Sequence, residues 1–242
     1  MKMLTTPPKL VEQVHDAIVS DIAEGKLQPG ERIIQEQIAD VLGVSRQPVQ
    51  QALLLLRNHG VLKDAPGRGL VVAPLDLGHV QNMYEARAVL EGLAFRKAAE
   101  RNPGRARKLG PALIEAGRSA VKSGSVAAMI SADINLHKFV CELSENPLIA
   151  PTMEAQWTYT QRVMGEVLMR DERPRNIWDQ HEAMMNAVME GDGEGAERLA
   201  RHHITQAATH MIDRLRGEMK LGRPANDAHG ANGANGANGT AR

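Results

Sequence analysis

The sequence predicts a mostly α-helical protein in two parts, three helices with a β-hairpin and then an all-α helical bundle. Three observations carry this. Apolar residues recur at every third or fourth position through most of the chain. Two short β-like runs, Val61-Leu62 and Leu70-Val71-Val72, flank the turn Pro66-Gly67-Arg68-Gly69. From about residue 79 to 216 the helical period continues almost throughout. At 242 residues the chain suits between one and two domains. We read residues 1–75 as the first domain, 76–78 as a linker and 79–220 as the second domain. Residues 221–242, which end in GANGANGANGTAR, have nothing to build a core and read as a disordered tail.

Composition narrows the function. Apolar residues make up 43% and charged residues 24%, as in ordinary globular proteins. The 29 Lys and Arg balance 29 Asp and Glu, so any nucleic-acid affinity must come from a local patch. Two each of Phe, Tyr and Trp are too few for the stacking platforms of single-strand readers. The lone Cys141, the absence of a long apolar run and a start, MKMLTTPPK, without a signal-peptide core lead us to expect a cytoplasmic protein off the membrane.

In the first domain Leu10, Val14, Ile18 and Ile22 form one stripe on a helix that stops near Gly25. After Pro29-Gly30, Ile34, Ile38 and Leu42 repeat the spacing, and Gly43 suits a sharp turn. Ser45 is a favourable N-cap and Pro48 is tolerated in a first turn; Val49, Ala52, Leu53 and Leu56 then define a third, amphipathic helix. Two helices joined by a tight turn, followed by a hairpin, predict a winged helix-turn-helix whose second helix enters the DNA major groove. Arg46, Gln47 and Gln50 share the outward face, and between Val41 and Lys63 there are three cations and no acid. Arg68 and Gly69 stand at the wing tip.

The segment PGERIIQEQIADVLGVSRQPVQQALLLLRNHGVLKDAPGRGLVV resembles the winged helix-turn-helix of GntR-type bacterial transcription factors. The resemblance places Arg46 and Gln47 against DNA and Arg68 and Gly69 in the wing. Gln50 stands where relatives usually carry Arg; Gln suits adenine where Arg suits guanine, so the operator is expected to differ.

The second domain carries a candidate metal constellation. At 100° per residue, Asp133 and His137 fall in the stripe of Val126, Met129, Ile130 and Val140; His181 falls among Ile177, Met184, Met185 and Val188; His203 falls among Ala196, Leu199, Ala200 and Ala207. A buried carboxylate needs a partner, and three inward imidazoles offer it a shared cation. One Asp and three His suit a borderline divalent metal, zinc, nickel or manganese, and disfavour calcium. His202 projects about 100° away and reads as surface, since an α-helix turns once in about 3.6 residues; His210 is open to either reading. The pieces MYEARAVLEGLAFRKAAE, DINLHKFVCELSENPLI, QHEAMMNAVMEGD and AERLARHHI resemble the FCD effector domain of FadR-like GntR regulators. That resemblance implies one divalent metal per chain on the same four residues. Arg87 shares a stripe with Met83, Leu90 and Ala94 and requires an anion: Glu91 or Asp133 internally, or, as the resemblance implies, a ligand carboxylate.

The function expected is that of a homodimeric repressor, not an enzyme. It would bind double-stranded DNA at an inverted repeat and respond to a small carboxylate or hydroxy-acid at the metal. The alternative is a metal-dependent enzyme carrying a DNA-binding domain. It is disfavoured because the stripes around the ligands hold no spare Glu or Lys to act as a general base.

Overall fold

The structure, a computed structural model, describes residues 8–168 and 177–221, with the side chains of residues 10–168 and 177–217. The expected disordered tail therefore lies, from residue 222 on, outside the described residues.

Three helices open the chain. Helix α1 spans Pro8–Ala23 and buries Val14, Ile18 and Ile22; Leu10, one turn before Val14, is exposed and ends the stripe short. In α2, Gln35–Leu42, the expected stripe is only partly realised. Ile34 has extended backbone at the N-cap and is exposed, Leu42 is exposed at the last turn, and the buried residue is Ala39. A helix of two turns covers too little of its neighbour to bury both ends. Gly43 then takes φ +64°, the left-handed conformation the tight turn needs. Helix α3, Arg46–Asn58, buries Val49, Ala52, Leu53 and Leu56 as expected. Ser45 occupies its N-cap position, although its hydroxyl accepts no hydrogen bond there.

The hairpin is part of a three-stranded antiparallel sheet in the order β1-β3-β2, with β1 at Arg32–Ile33, β2 at Leu62–Asp64 and β3 at Leu70–Val72. In register, Lys63 and Arg32 both oppose Val71 across the central strand. Strand β1 is two residues long, too short for an alternating pattern to reveal. Helix α4, Leu77–Arg101, begins directly after the sheet, where Asp76 Oδ1 accepts the His79 N–H at 2.6 Å. Residues 76–78, expected as a linker, are the cap and first turn of that helix.

Five more helices complete the bundle: α5 Pro103–Ser123, α6 Val126–Leu143, α7 Ile149–Leu168, α8 Ile177–Glu190 and α9 Gly193–Leu221. Helix α9 lies along α4, and α5 packs on α6 and α8. The α5–α8 approach is so close that a Cβ at Gly117 would fall 2.0 Å from the Trp178 ring. One apolar core lies under α5, α6 and α8. The other is continuous from the first three helices and the sheet into α7 and α9. The two halves of the chain therefore share a core, with α1 packed on α7.

Candidate metal centre and nucleic-acid interface

Helix α6 places Asp133 and His137 one turn apart on its inner face, α8 supplies His181 and α9 supplies His203. One ligand atom from each of the four lies within 4.8 Å of the others. The Nε2 atoms of His137 and His181 are 3.2 Å apart, and Asp133 Oδ1 stands 3.3 Å from His181 Nε2. All three imidazoles are buried. The four sequence-predicted ligands are thus brought together from three helices.

Behind them stands a set of partners that the helical stripes did not reveal. His203 Nδ1 is 2.9 Å from Gln180 Oε1; with that N–H donated, the ring presents the Nε2 lone pair to the cluster. Glu91, fully buried on α4, brings Oε2 to 2.5 Å from His137 Nδ1, in ion-pair range but off the direction of a hydrogen bond. Its other oxygen accepts Arg87 Nε–H at 2.7 Å, and Arg87 Nη1 donates to Thr160 Oγ1 at 3.0 Å. Of the two internal anions open to Arg87, the structure selects Glu91. The stripes around the ligands were expected to hold no spare Glu or Lys, and the carboxylate that does stand near them comes from elsewhere. Glu91 comes from α4, a helix that carries no ligand; the sequence offered it to Arg87, and the packing of α4 on α6 brings it to His137 as well. It is engaged on both oxygens and is not a free base.

Burial is the largest influence on each ionisable group here, and neighbours decide where it is overridden. It would raise Asp133, but the His181 contact and the surrounding imidazoles hold its carboxyl well below the usual range. Glu91 is likewise pulled down against burial by Arg87 and His137. His137 is raised against burial by Glu91, whereas burial prevails at His181 and His203, which are pushed down and kept neutral. Two neutral imidazoles beside an ionised carboxylate form a cation-seeking set.

Two of the four, Asp133 and His203, line a cavity of about 230 Å³, together with Arg87, Tyr84 and Gln206. His210, ambiguous in the sequence, lines this cavity, and His202 is exposed away from it.

At the other end of the molecule, Gln47, Gln50, Arg68 and Gly69 are exposed. Arg46 is exposed too, and its Nη2 meets Glu36 Oε1 of α2. The face is therefore acid-free along α3 but not in space, because α2 contributes a carboxylate from before Val41. In the wing Gly69 has φ +94°, and Arg32 of β1 donates from Nη2 to Arg68 O. Arg32 was not singled out in the sequence, since only the strand pairing brings it to the wing.

A sequence model of the FCD domain matches residues 82–206, and one of the bacterial regulatory proteins of the gntR family matches residues 10–72. The chain is 24% identical over 208 residues to the HTH-type transcriptional repressor RspR of Escherichia coli, covering 86% of this chain and 90% of that one. It is 27% identical over 199 residues to the protein described as the probable D-xylose utilization operon transcriptional repressor of Paenarthrobacter nicotinovorans, covering 82% and 87%. The solved structure of E. coli McbR/YncC shares the fold, with a TM-score of 0.75 at 21% identity over 88% of this chain and all of that one. These families and relatives are regulators, not enzymes. The chain belongs to the GntR family, carries an FCD domain, and is a DNA-binding transcription regulator.

Proposed function

We propose that the protein represses its target genes in the cytoplasm by holding an inverted-repeat operator as a homodimer, and that a small carboxylate or hydroxy-acid bound beside a divalent metal controls this hold. One observation carries the reading: Asp133, His137, His181 and His203 converge, and Asp133 and His203 line a cavity beside them. Metal–ligand bonds of about 2.0–2.2 Å put neighbouring donor atoms about 2.9–3.4 Å apart. The separations of 3.2 and 3.3 Å fit that spacing. Zinc, nickel or manganese suits the donor set. When bound, the metal would supply positive charge and open positions for an acid ligand.

The chain's own groups do the rest. Gln180 fixes the His203 ring, Glu91 sets a negative charge behind His137, and Arg87, which lines the cavity while anchored on Glu91 and Thr160, adds positive charge at the acid's end. Arg46, Gln47 and Gln50 at the start of α3 are the groups assigned to base edges, with Arg68 and Gly69 at the adjoining backbone. A dimer two-fold matches an inverted repeat.

Elemental analysis of purified protein is expected to find about one divalent metal per chain, with metal and thermal stability lost together in His181→Ala. His202→Ala is the control and should retain both. Absence of metal after zinc, nickel and manganese have each been offered would refute the reading.

A further inference from the structure

We infer that Arg32 of β1 binds a phosphate of the operator backbone and forms, with Arg68, a two-cation grip at the wing tip. The inference rests on the assignment of Arg68 and Gly69 to the DNA backbone and deepens it with a residue outside the helix-turn-helix and the hairpin.

The strand pairing puts Arg32 there. Pro29-Gly30 turns the chain, with Gly30 at φ +87°, and the Gly30 and Val72 N–H groups donate to Val72 O and Glu31 O. Strand β1 is thereby fixed along β3, with Arg32 opposite Val71 and Ile33 opposite Leu70. Side chains alternate between the two faces of a strand. Ile33 is buried in the core, so Arg32 stands on the outer face, where it is exposed. Its guanidinium reaches the turn and donates from Nη2 to Arg68 O. Gly69 leaves room for it: a Cβ there would lie 3.3 Å from Nη2, and the φ of +94° disfavours any side chain.

Charge selects the partner. With the Arg32 guanidinium against the backbone of Arg68, two cations share the tip, and neither forms an ion pair with a carboxylate among the described residues. Arg46 of α3, by contrast, pairs with Glu36. A guanidinium carries five N–H donors, and the bond to Arg68 O leaves Arg32 others to give an oxyanion. That bond also limits how far Arg32 reaches. Held at the base of the turn, it meets backbone oxygens that pass the tip and not base edges deep in a groove. Its contribution is therefore independent of sequence.

The test follows binding by fluorescence anisotropy across a potassium chloride series. Two duplexes are used, one enriched from a random-sequence pool by the full wild-type chain and the other its scrambled counterpart. Each phosphate contact adds about 0.9 to the slope of log affinity against log salt. Arg32→Gln is expected to flatten that slope by about 2 for a dimer, and to weaken binding to both duplexes by the same factor, about 10-fold in moderate salt. Arg32→Lys keeps the charge and should keep the slope. A loss of active protein shifts the line without tilting it, so the slope reads charge even in a less stable variant. Arg105→Gln removes an exposed cation of α5, in the bundle, and should leave slope and affinity as they were.

An unchanged slope in Arg32→Gln, a loss confined to the enriched duplex, or equal flattening by Arg105→Gln overturns the inference. Arg68→Gln separates it from the assignment beneath it. Flattening there with none in Arg32→Gln leaves the wing on the backbone without Arg32, and flattening in neither removes the wing itself from the DNA.

Discussion

Arg87 and Arg162 are both almost fully buried, at 2% and 3% exposure, yet they sit in opposite settings. Arg87 lies beside the metal-ligand cluster with a carboxylate partner, Glu91, and packs its guanidinium 5.0 Å from the ring centres of Tyr84 and Trp157. Burial opposes its charge, and Glu91 more than offsets that, so its pKa moves up. Arg162, on α7, reaches out of the bundle and donates to two backbone carbonyls of the first domain, Val61 O and Ala73 O. No carboxylate forms an ion pair with it among the described residues, and burial moves its pKa down. The first arginine is an electrostatic element of the cavity; the second is a bracket that fastens the sheet to α7.

The two are joined through α7 itself. Thr160, which accepts from Arg87, is two residues from Arg162, and Tyr159, just before Thr160, accepts the Asp76 N–H at the base of α4. Three residues past Arg162, Gly165 meets α1 so closely that a Cβ there would lie 2.6 Å from Ala23 Cα. A change at Arg87 thus has a direct material route to the DNA-binding half, and that route does not run along the short connection from the wing to α4. For it to regulate, the ligand must bind one arrangement of this seam more tightly than another.

The comparison breaks most clearly at Arg87. Arg87→Met keeps much of the stem volume but strands Glu91 as a buried, half-paired carboxylate, and is expected to cost about 3–5 kcal/mol in a denaturant titration. Adding Glu91→Leu removes the stranded charge and should recover most of that loss while leaving the response to ligand absent. If the double variant is no more stable than the single one, Arg87 stabilises by packing on Tyr84 and Trp157 and the electrostatic account is wrong.

Arg162→Met should cost less, about 1–3 kcal/mol, because it strands the Ala73 carbonyl and no ionised group, Val61 O keeping the Ala73 N–H. Its metal content should stay at the wild-type level, with faster amide exchange in β2 and along α1 as the seam loosens. Equal exchange in the variant and the parent would mean that apolar contacts alone hold the two halves together. Gly165→Ala sharpens the same point from the other side of α7. With backbone of α1 in the way, an added methyl must push the helices apart, at about 1–3 kcal/mol, while the cavity and its ligands remain as they were.

The contrast between the arginines also explains what could be read from the sequence. Arg87 was visible because its stripe is apolar and its partner lies on the next turn of the same helix. The four candidate metal ligands were visible for the same reason: each shares a face with apolar residues of its own helix, so period alone aims it inward. Arg162 shows no such sign, since its partners are carbonyls of a different domain. Gln180 beside His203, and the second contact of Glu91, with His137, escaped notice because they form only when α8 meets α9 and α4 meets α6. Local period reports the direction of a side chain but not what stands opposite it, and the shared core between the two halves falls in that second class.

The smallest effect on stability belongs to a third arginine, which extends the comparison to the surface. Arg46 and Glu36 form an ion pair with side chains 67% and 62% exposed, where water already solvates both charges. Either residue can be replaced by Ala with a stability change within about 0.5 kcal/mol. Operator affinity, followed by fluorescence anisotropy at fixed salt, should separate them. Arg46→Ala is expected to weaken binding about 5- to 150-fold if the guanidinium meets a base edge. Glu36→Ala should tighten it by a few-fold, because Arg46 no longer exchanges a carboxylate for DNA and one negative charge is removed from the phosphates' side of α2. The opposite result, weaker binding in Glu36→Ala, would mean that the carboxylate positions Arg46 for its contact. The exposed arginine would then resemble Arg87, held in place by an acid for the use of a third group, and burial would not be what divides the arginines of this protein.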